Sequence, residues 1–137
     1  METIINARSE TVFDKSAFDG VGRCVIPADG WYEWTGKKRQ KQAWRITARD
    51  SSPLWFAGIC DRWQGPGGVI VDQAAVVTCE PNADVVDYHH RMGVLLPGDA
   101  VDHWLSPDAE IARSVMVQPA AGLLQVEEAR DVDWSGA

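Results

Sequence analysis

The sequence contains few cysteines and few histidines. Its three cysteines, Cys24, Cys60 and Cys79, are an odd number without paired spacing, and it has three histidines. This favours reduced thiols in a cytoplasm over a disulfide framework. Two of the histidines are adjacent in sequence and would point about 100° apart on a helix, so they would rarely bind one ion together. We therefore expect neither a metal nor another cofactor.

Long apolar runs and an excess of positive charge are also missing. No apolar stretch approaches the length of a membrane span, and the opening residues METIINARSE do not resemble a signal peptide. We expect a cytoplasmic protein without membrane contact. The net charge of −7 argues mildly against nonspecific nucleic-acid binding, although residues 36–41, GKKRQK, form a dense cationic run that could make a local basic site.

The chain does have the composition of one compact domain. It has 137 residues, of which 45% are hydrophobic and 24% charged. Alternating and apolar segments bounded by Pro and Gly predict a strand-rich α+β fold, in which 54–59, 74–77 and 94–96 are central strands. The predicted strands are 23–26, 31–34, 43–48, 54–63, 74–78, 91–96 and 123–128. We predict short helices after Asn82 (the N-cap) and over 99–105 and 107–115, with some helical character over 11–18.

Glu33 is the first candidate for acid–base chemistry. It lies between Tyr32 and Trp34, directly after the turn Pro27-Ala-Asp-Gly30. Flanking aromatic rings would raise its pKa by disfavouring the charged form, which suits a proton-transfer role. A solvent-facing strand carboxylate is an equally good interpretation of this segment alone.

Other polar segments are less specific. His89, in His89-His90-Arg91-Met92, could move protons near neutral pH. Residues 6–11 and 78–82 are, taken alone, most simply a solvated terminus and a capping segment. Trp104 is most simply a core residue.

The order of these segments is more informative than any one of them. The chain contains NARSET, RCVIPADGWYEW, PLWFAGICDRW, VVTCEPNA, HHRMGVLL and WL, in this order. This series closely resembles the SOS response-associated peptidase family of abasic-site processing proteins, from Asn6 to about Trp104. The resemblance implies the family's α+β pseudo-barrel with short peripheral helices, as one domain over 1–137.

The resemblance also implies a function and a set of site residues. Family members act on abasic sites in single-stranded DNA, to which an N-terminal cysteine, exposed by autoprocessing, crosslinks as a thiazolidine. Peptidase and lyase-type chemistry are implied at the family level. Asn6 would orient the amine and sugar, Glu33 would be the acid–base group, and His89 would act on the sugar. The DNA-binding residues would be Arg8 and Arg91 at phosphates, Trp34 as a stacking face and Thr78 along the groove. We expect Asn6, Glu33 and His89 to converge in one pocket.

The sequence departs from the family pattern at its start. It begins Met1-Glu2-Thr3 where the family has Met-Cys-Gly-Arg, so we expect a domain truncated at its N-terminus that forms no stable crosslink. His90 replaces an acid, and Gly93 replaces a proline. Besides a monomeric protein whose partner is abasic single-stranded DNA, two alternatives stay open. One is a non-catalytic single-strand-binding module that keeps Arg8, Trp34 and Arg91, and the other is an inactive remnant or protein-interaction domain.

Overall fold

The computed structural model describes residues 6–14 and 20–131. Within them the chain forms two open sheets, one of five strands and one of three, with short helices outside. The strands are β1 (Asn6–Arg8), β2 (Gly22–Ala28), β3 (Gly30–Thr35), β4 (Gln42–Ala48), β5 (Leu54–Gln64), β6 (Ile70–Cys79), β7 (Met92–Gly93) and β8 (Leu124–Ala129), and the helices are α1 (Val101–Trp104) and α2 (Ala109–Ser114). The predicted strand-rich α+β fold with short helices is confirmed.

The two sheets share one hydrophobic core. The larger sheet has the order β1-β6-β5-β2, and β7 also pairs with β6; the smaller has the order β3-β4-β8. β1 is parallel to β6, while the other pairs are antiparallel. Ile46 and Leu124 of the smaller sheet belong to the same buried cluster as Ala57 and Val77 of the larger one. The predicted strands over 54–59 and 74–77 lie within β5 and β6, next to each other.

α1 is attached to the larger sheet through its final residue. Trp104 is fully buried, and its indole N–H donates a 2.8 Å hydrogen bond to the carbonyl of Cys24 in β2. Arg23 of β2 makes a second hydrogen bond to this residue, in which its Nε donates to the Trp104 carbonyl at 2.8 Å. The prediction that Trp104 is a core residue is confirmed.

Two predicted elements are wrong in their type. Residues 83–88 form consecutive turns instead of a helix, although Asn82 does cap them, since its Oδ1 accepts from Asp84 N at 3.1 Å. Residues 94–96 are extended but do not form a strand, and within 91–96 only Met92–Gly93 is one. Of residues 11–18, those from 11 to 14 form turns, and the rest lie outside the described residues.

The segment after β7 is irregular because it divides its hydrogen bonds between two strands. Val94 N donates to Val77 O of β6 at 2.8 Å, and Ala57 N of β5 donates to Val94 O at 2.9 Å. Leu95 makes a single bridge with Phe56. The segment therefore fills the space between β5 and β6 instead of extending one ladder, and its apolar residues Val94 and Leu96 are buried.

Candidate functional site

A pocket of about 230 Å³ lies where β3 of the smaller sheet faces the larger sheet. β1, β5, β6 and β7 contribute one wall, and the turns that precede β7 contribute His89. The expected convergence of Asn6, Glu33 and His89 is therefore observed. The residues that line the pocket are Asn6, Trp31, Glu33, Phe56, Val76, Thr78, His89, Arg91, Met92 and Gly93.

Strand alternation directs Glu33 into this pocket. Successive side chains of a strand point to opposite faces, so Trp31 and Glu33 lie inward while Tyr32 and Trp34 lie outward. The Glu33 side chain is only 16% exposed, and the Trp31 indole donates to its Oε1 at 3.1 Å. Burial raises the pKa of Glu33, and the nearby His89 and the Trp31 hydrogen bond offset part of this effect. The carboxyl is thus easier to protonate than an exposed glutamate.

The His89 imidazole lies beside this carboxyl. Its Nε2 lies 3.7 Å from Glu33 Oε2, which is an ion-pair distance and longer than a hydrogen bond. Its Nδ1 is held by the backbone of Arg91, 2.9 Å from the carbonyl oxygen and 3.1 Å from the amide nitrogen. When Nδ1–H donates to that carbonyl, Nε2 has a lone pair facing Glu33. In this tautomer the imidazole presents a hydrogen-bond acceptor toward the Glu33 carboxyl.

Arg91 lines the pocket, but its guanidinium is already engaged. It donates two hydrogen bonds to the Glu10 carboxylate, at 2.7 and 2.8 Å, and one to the Thr78 carbonyl at 2.8 Å. The hydrogen bond from Arg91 lowers the pKa of Glu10 to about 2. Among the described residues, Arg91 Nε is buried without a hydrogen-bond partner. A phosphate at Arg91 would have to share the guanidinium with Glu10.

Sequence reasoning did not select Glu10 as a functional residue. Its partner is 81 positions away, and the contact depends on the parallel pairing of β1 with β6. The available signal was a carboxylate two residues after Arg8, an expected phosphate-binding residue. Sequence reasoning also missed Trp31, although it is one of the aromatic residues around Glu33.

Of the four expected DNA-binding residues, the structure places two in the pocket. Thr78 and Arg91 line it. The Arg8 side chain is 66% exposed outside the pocket, on the same face of β1 as Asn6, and approaches Glu10 at 3.9 Å. Trp34 lies on the outer face of β3, where its ring is 6.3 Å from that of Tyr32. The roles assigned to all these residues stay predictions.

Two of the three thiols, those of Cys24 and Cys79, are poor nucleophiles. Burial raises the pKa of Cys79 to about 11, and burial together with the neighbouring Cys60 raises that of Cys24 to about 11. Since the thiolate is the reactive form, both remain protonated near neutral pH. No group of three potential metal ligands occurs among the described residues.

A largely buried carboxyl therefore lies beside an imidazole, in a pocket between the two open sheets of a strand-rich α+β fold. The profile of the family described as SOS response associated peptidase (SRAP) matches residues 1–132. The chain belongs to this family.

Similar proteins carry related names. The abasic site processing protein YoaM of Bacillus subtilis is 38% identical over 108 residues, which cover 76% of this chain and 48% of YoaM. The abasic site processing protein HMCES of Gallus gallus is 33% identical over an alignment of 144 positions, gaps included, that covers 86% of this chain and 43% of HMCES. The chain thus spans about half the length of the curated relatives it matches.

Solved structures agree with the fold. A crystal structure of a protein from Bordetella bronchiseptica superposes with a TM-score of 0.81 at 31% identity, covering 91% of this chain and 64% of that one. One from Bacteroides thetaiotaomicron superposes with a TM-score of 0.82 at 26% identity, covering 92% and 58%. Among the described residues, no helix has the length and apolar character needed to cross a membrane.

Proposed function

We propose that this chain recognises abasic sites in single-stranded DNA and holds the ring-opened deoxyribose in the pocket of Asn6, Glu33 and His89. The observation that carries the proposal is the placement of Glu33, a carboxyl of raised pKa, 3.7 Å from the His89 imidazole inside that pocket. The names of YoaM and HMCES, both abasic site processing proteins, support the choice of substrate. We propose that the protein acts in the cytoplasm and as a monomer.

The geometry suits chemistry on an aldehyde. An abasic sugar opens to an aldehyde, to which an amine adds; loss of the resulting hydroxyl as water leaves an imine. Glu33 in its acid form can donate the proton that departs with this hydroxyl, and His89 Nε2 can accept a proton from the sugar or return one to Glu33. The Asn6 amide can donate to the sugar oxygens and accept from the amine.

The durability of the adduct depends on which amine adds to the aldehyde. In the family, by resemblance, amine and thiol belong to one N-terminal cysteine, and ring closure makes the adduct durable. Cys24, Cys60 and Cys79 are internal residues, and burial holds Cys24 and Cys79 as thiols. We therefore propose that the pocket supports recognition and reversible imine formation, and that these three cysteines make no lasting crosslink.

Equilibrium binding tests the proposal. Fluorescence anisotropy would compare two labelled single strands of equal length, one intact and one with a central abasic site. We expect the wild-type chain to prefer the abasic strand about tenfold, which corresponds to about 1.4 kcal/mol, or one good hydrogen bond.

The matched variants are His89→Ala and His103→Ala. His103 lies on α1 outside the pocket, where its ring contacts the Asp99 carbonyl. We expect the first variant to lose the preference and the second to keep it. Equal affinity of the wild type for the two strands would refute the proposal.

A further inference from the structure

All residues of the turn between β3 and β4, residues 36–41, are exposed. Gly36 has φ 101°, and a Cβ there would lie 2.7 Å from the carbonyl oxygen of Gln40, so only glycine fits. Arg39 also adopts a left-handed φ of 72°, and Gln40 N donates to Lys37 O at 2.9 Å. This local backbone holds Lys37, Lys38, Arg39 and Lys41 at the tip of a hairpin.

These four cations differ from the arginines of the rest of the described chain. Each arginine outside this turn contacts a carboxylate or a backbone carbonyl: Arg8, Arg23, Arg45, Arg49, Arg62, Arg91, Arg113 and Arg130. Within residues 6–14 and 20–131, no ion pair or side-chain hydrogen bond involves Lys37, Lys38, Arg39 or Lys41. In a chain of net charge −7, this turn concentrates uncompensated positive charge.

The turn is also close to the pocket along the chain. β3 is an edge strand of the smaller sheet, and it carries Glu33 on its inner face. Lys37 follows Glu33 by four residues, a distance of about 13 Å along an extended strand. Trp34, 36% exposed, lies between the two. A flexible single strand that leaves the pocket along this edge reaches the turn within a few nucleotides.

We propose that residues 36–41 form a second DNA contact, which binds backbone phosphates of the strand whose abasic sugar occupies the pocket. The inference rests on the proposed function and extends it. Lysine side chains bind phosphate as point charges and release condensed counterions when they do so. The turn would contribute affinity without sequence preference and leave recognition of the lesion to the pocket.

The test is the salt dependence of binding to an oligothymidylate with one central abasic site, measured by fluorescence anisotropy between 50 and 200 mM NaCl. The variant is Lys37→Gln, Lys38→Gln and Lys41→Gln together, which leaves the backbone of Gly36 and Arg39 intact. For single strands each phosphate contact contributes about −0.7 to the slope of log K against log salt. We expect the slope of the variant to be less steep than that of the wild type by about 2.

A matched control removes the same charge elsewhere. The triple variant Arg62→Gln, Arg113→Gln and Arg130→Gln loses three cations that pair with carboxylates. We expect it to keep the wild-type slope. Tryptophan fluorescence would show that both variants are folded.

The outcomes separate the two proposals. Wild-type binding with the same slope in the Lys37/Lys38/Lys41 variant would overturn this inference and leave the proposed function intact. An equal loss of slope in the control would also overturn it, because the effect would then come from net charge. A wild-type chain that binds no single strand at all would overturn the proposed function, and this inference with it.

Discussion

At the scale of single residues, the burial of Glu33 couples function to stability. The folded state favours the protonated carboxyl, so the stability that Glu33 contributes is complete below the ordinary pKa of 4.5 and is lost as pH rises through the higher folded pKa. At neutral pH the protein therefore holds a carboxyl whose ionisation is partly opposed by its surroundings, as is common at active sites.

Replacement of Glu33 by glutamine should consequently stabilise the fold while it removes the acid–base group. We expect Glu33→Gln to unfold at higher urea concentration than wild type at pH 8, by about 0.5–2 kcal/mol, and the difference to shrink toward pH 4. Imine formation with abasic DNA should slow about 100-fold. Glu127→Gln, at an exposed position of β8, is the control and should change neither property. A less stable Glu33→Gln at pH 8 would contradict this account.

Glu10 should behave in the opposite way with pH. Its folded pKa of about 2 lies below 4.5, so the stability it contributes is present above 4.5 and is lost as pH falls toward 2. We expect Glu10→Gln to lose about 1 kcal/mol at pH 7, a value reduced for solvent screening because the side chain is 46% exposed. Urea titrations at pH 7 and pH 3 measure this effect. A loss as large at pH 3 as at pH 7 would show that the ion pair with Arg91 is not its source.

Whether the sequence could predict a site residue depends on how far along the chain its contacts lie. Glu33 could be selected from the sequence because its aromatic neighbours are adjacent to it in the chain. The family resemblance named Asn6 and His89. The Glu10–Arg91 pair could not be predicted from the sequence, because it requires the register that pairs Arg8 with Thr78 across β1 and β6. Trp34 lies outside the pocket because alternation along β3 sends it to the face opposite Glu33.

At the scale of elements, the narrow space beside β7 shapes the pocket. A Cβ added at Gly93 would lie 2.4 Å from Phe56 Cδ1 and 3.1 Å from Val76 Cγ1, and both of these residues line the pocket. Position 93 therefore requires glycine, because the side chains of Phe56 and Val76 approach it closely. The strands predicted from alternation and apolar runs were found, whereas residues 94–96 and 83–88 were misassigned because their hydrogen bonds go to distant strands or to local turns.

The variant Gly93→Ala tests this packing. We expect it to destabilise the fold by about 1–3 kcal/mol, as overpacked cores do, and to displace the Phe56 ring. Binding of abasic DNA should weaken as a result. Gly98→Ala is the matched control, since no atom lies within 4 Å of its added Cβ. Urea unfolding and anisotropy would measure both effects, and wild-type stability in Gly93→Ala would show that the site tolerates the methyl group.

At the scale of the whole molecule, the position of the cysteines limits the covalent chemistry. Thiazolidine formation requires an amine and a thiol on one terminal residue, which makes the ring closure intramolecular and strongly favoured. Cys24, Cys60 and Cys79 are internal residues, so none of them carries a free amine beside its thiol. An imine formed at a lysine lacks such a thiol and hydrolyses.

We therefore expect Cys24, Cys60 and Cys79 to form no heat-stable adduct with abasic single-stranded DNA on a denaturing gel. Borohydride, which reduces an imine to an amine, should trap an adduct with the wild type and much less with Glu33→Gln. A heat-stable band without borohydride would contradict the expectation and would reveal another nucleophile.

The central claim is that the pocket between the two sheets receives an abasic sugar. The most direct measurement is a crystal structure of the chain with a single-stranded oligonucleotide that carries one tetrahydrofuran, a stable abasic analogue. The account predicts the tetrahydrofuran ring in the 230 Å³ pocket, with its ring oxygen within hydrogen-bond distance of Asn6, Glu33 or His89. A ring bound elsewhere, such as the larger apolar groove between Trp55 and Leu123, with this pocket empty, would contradict it.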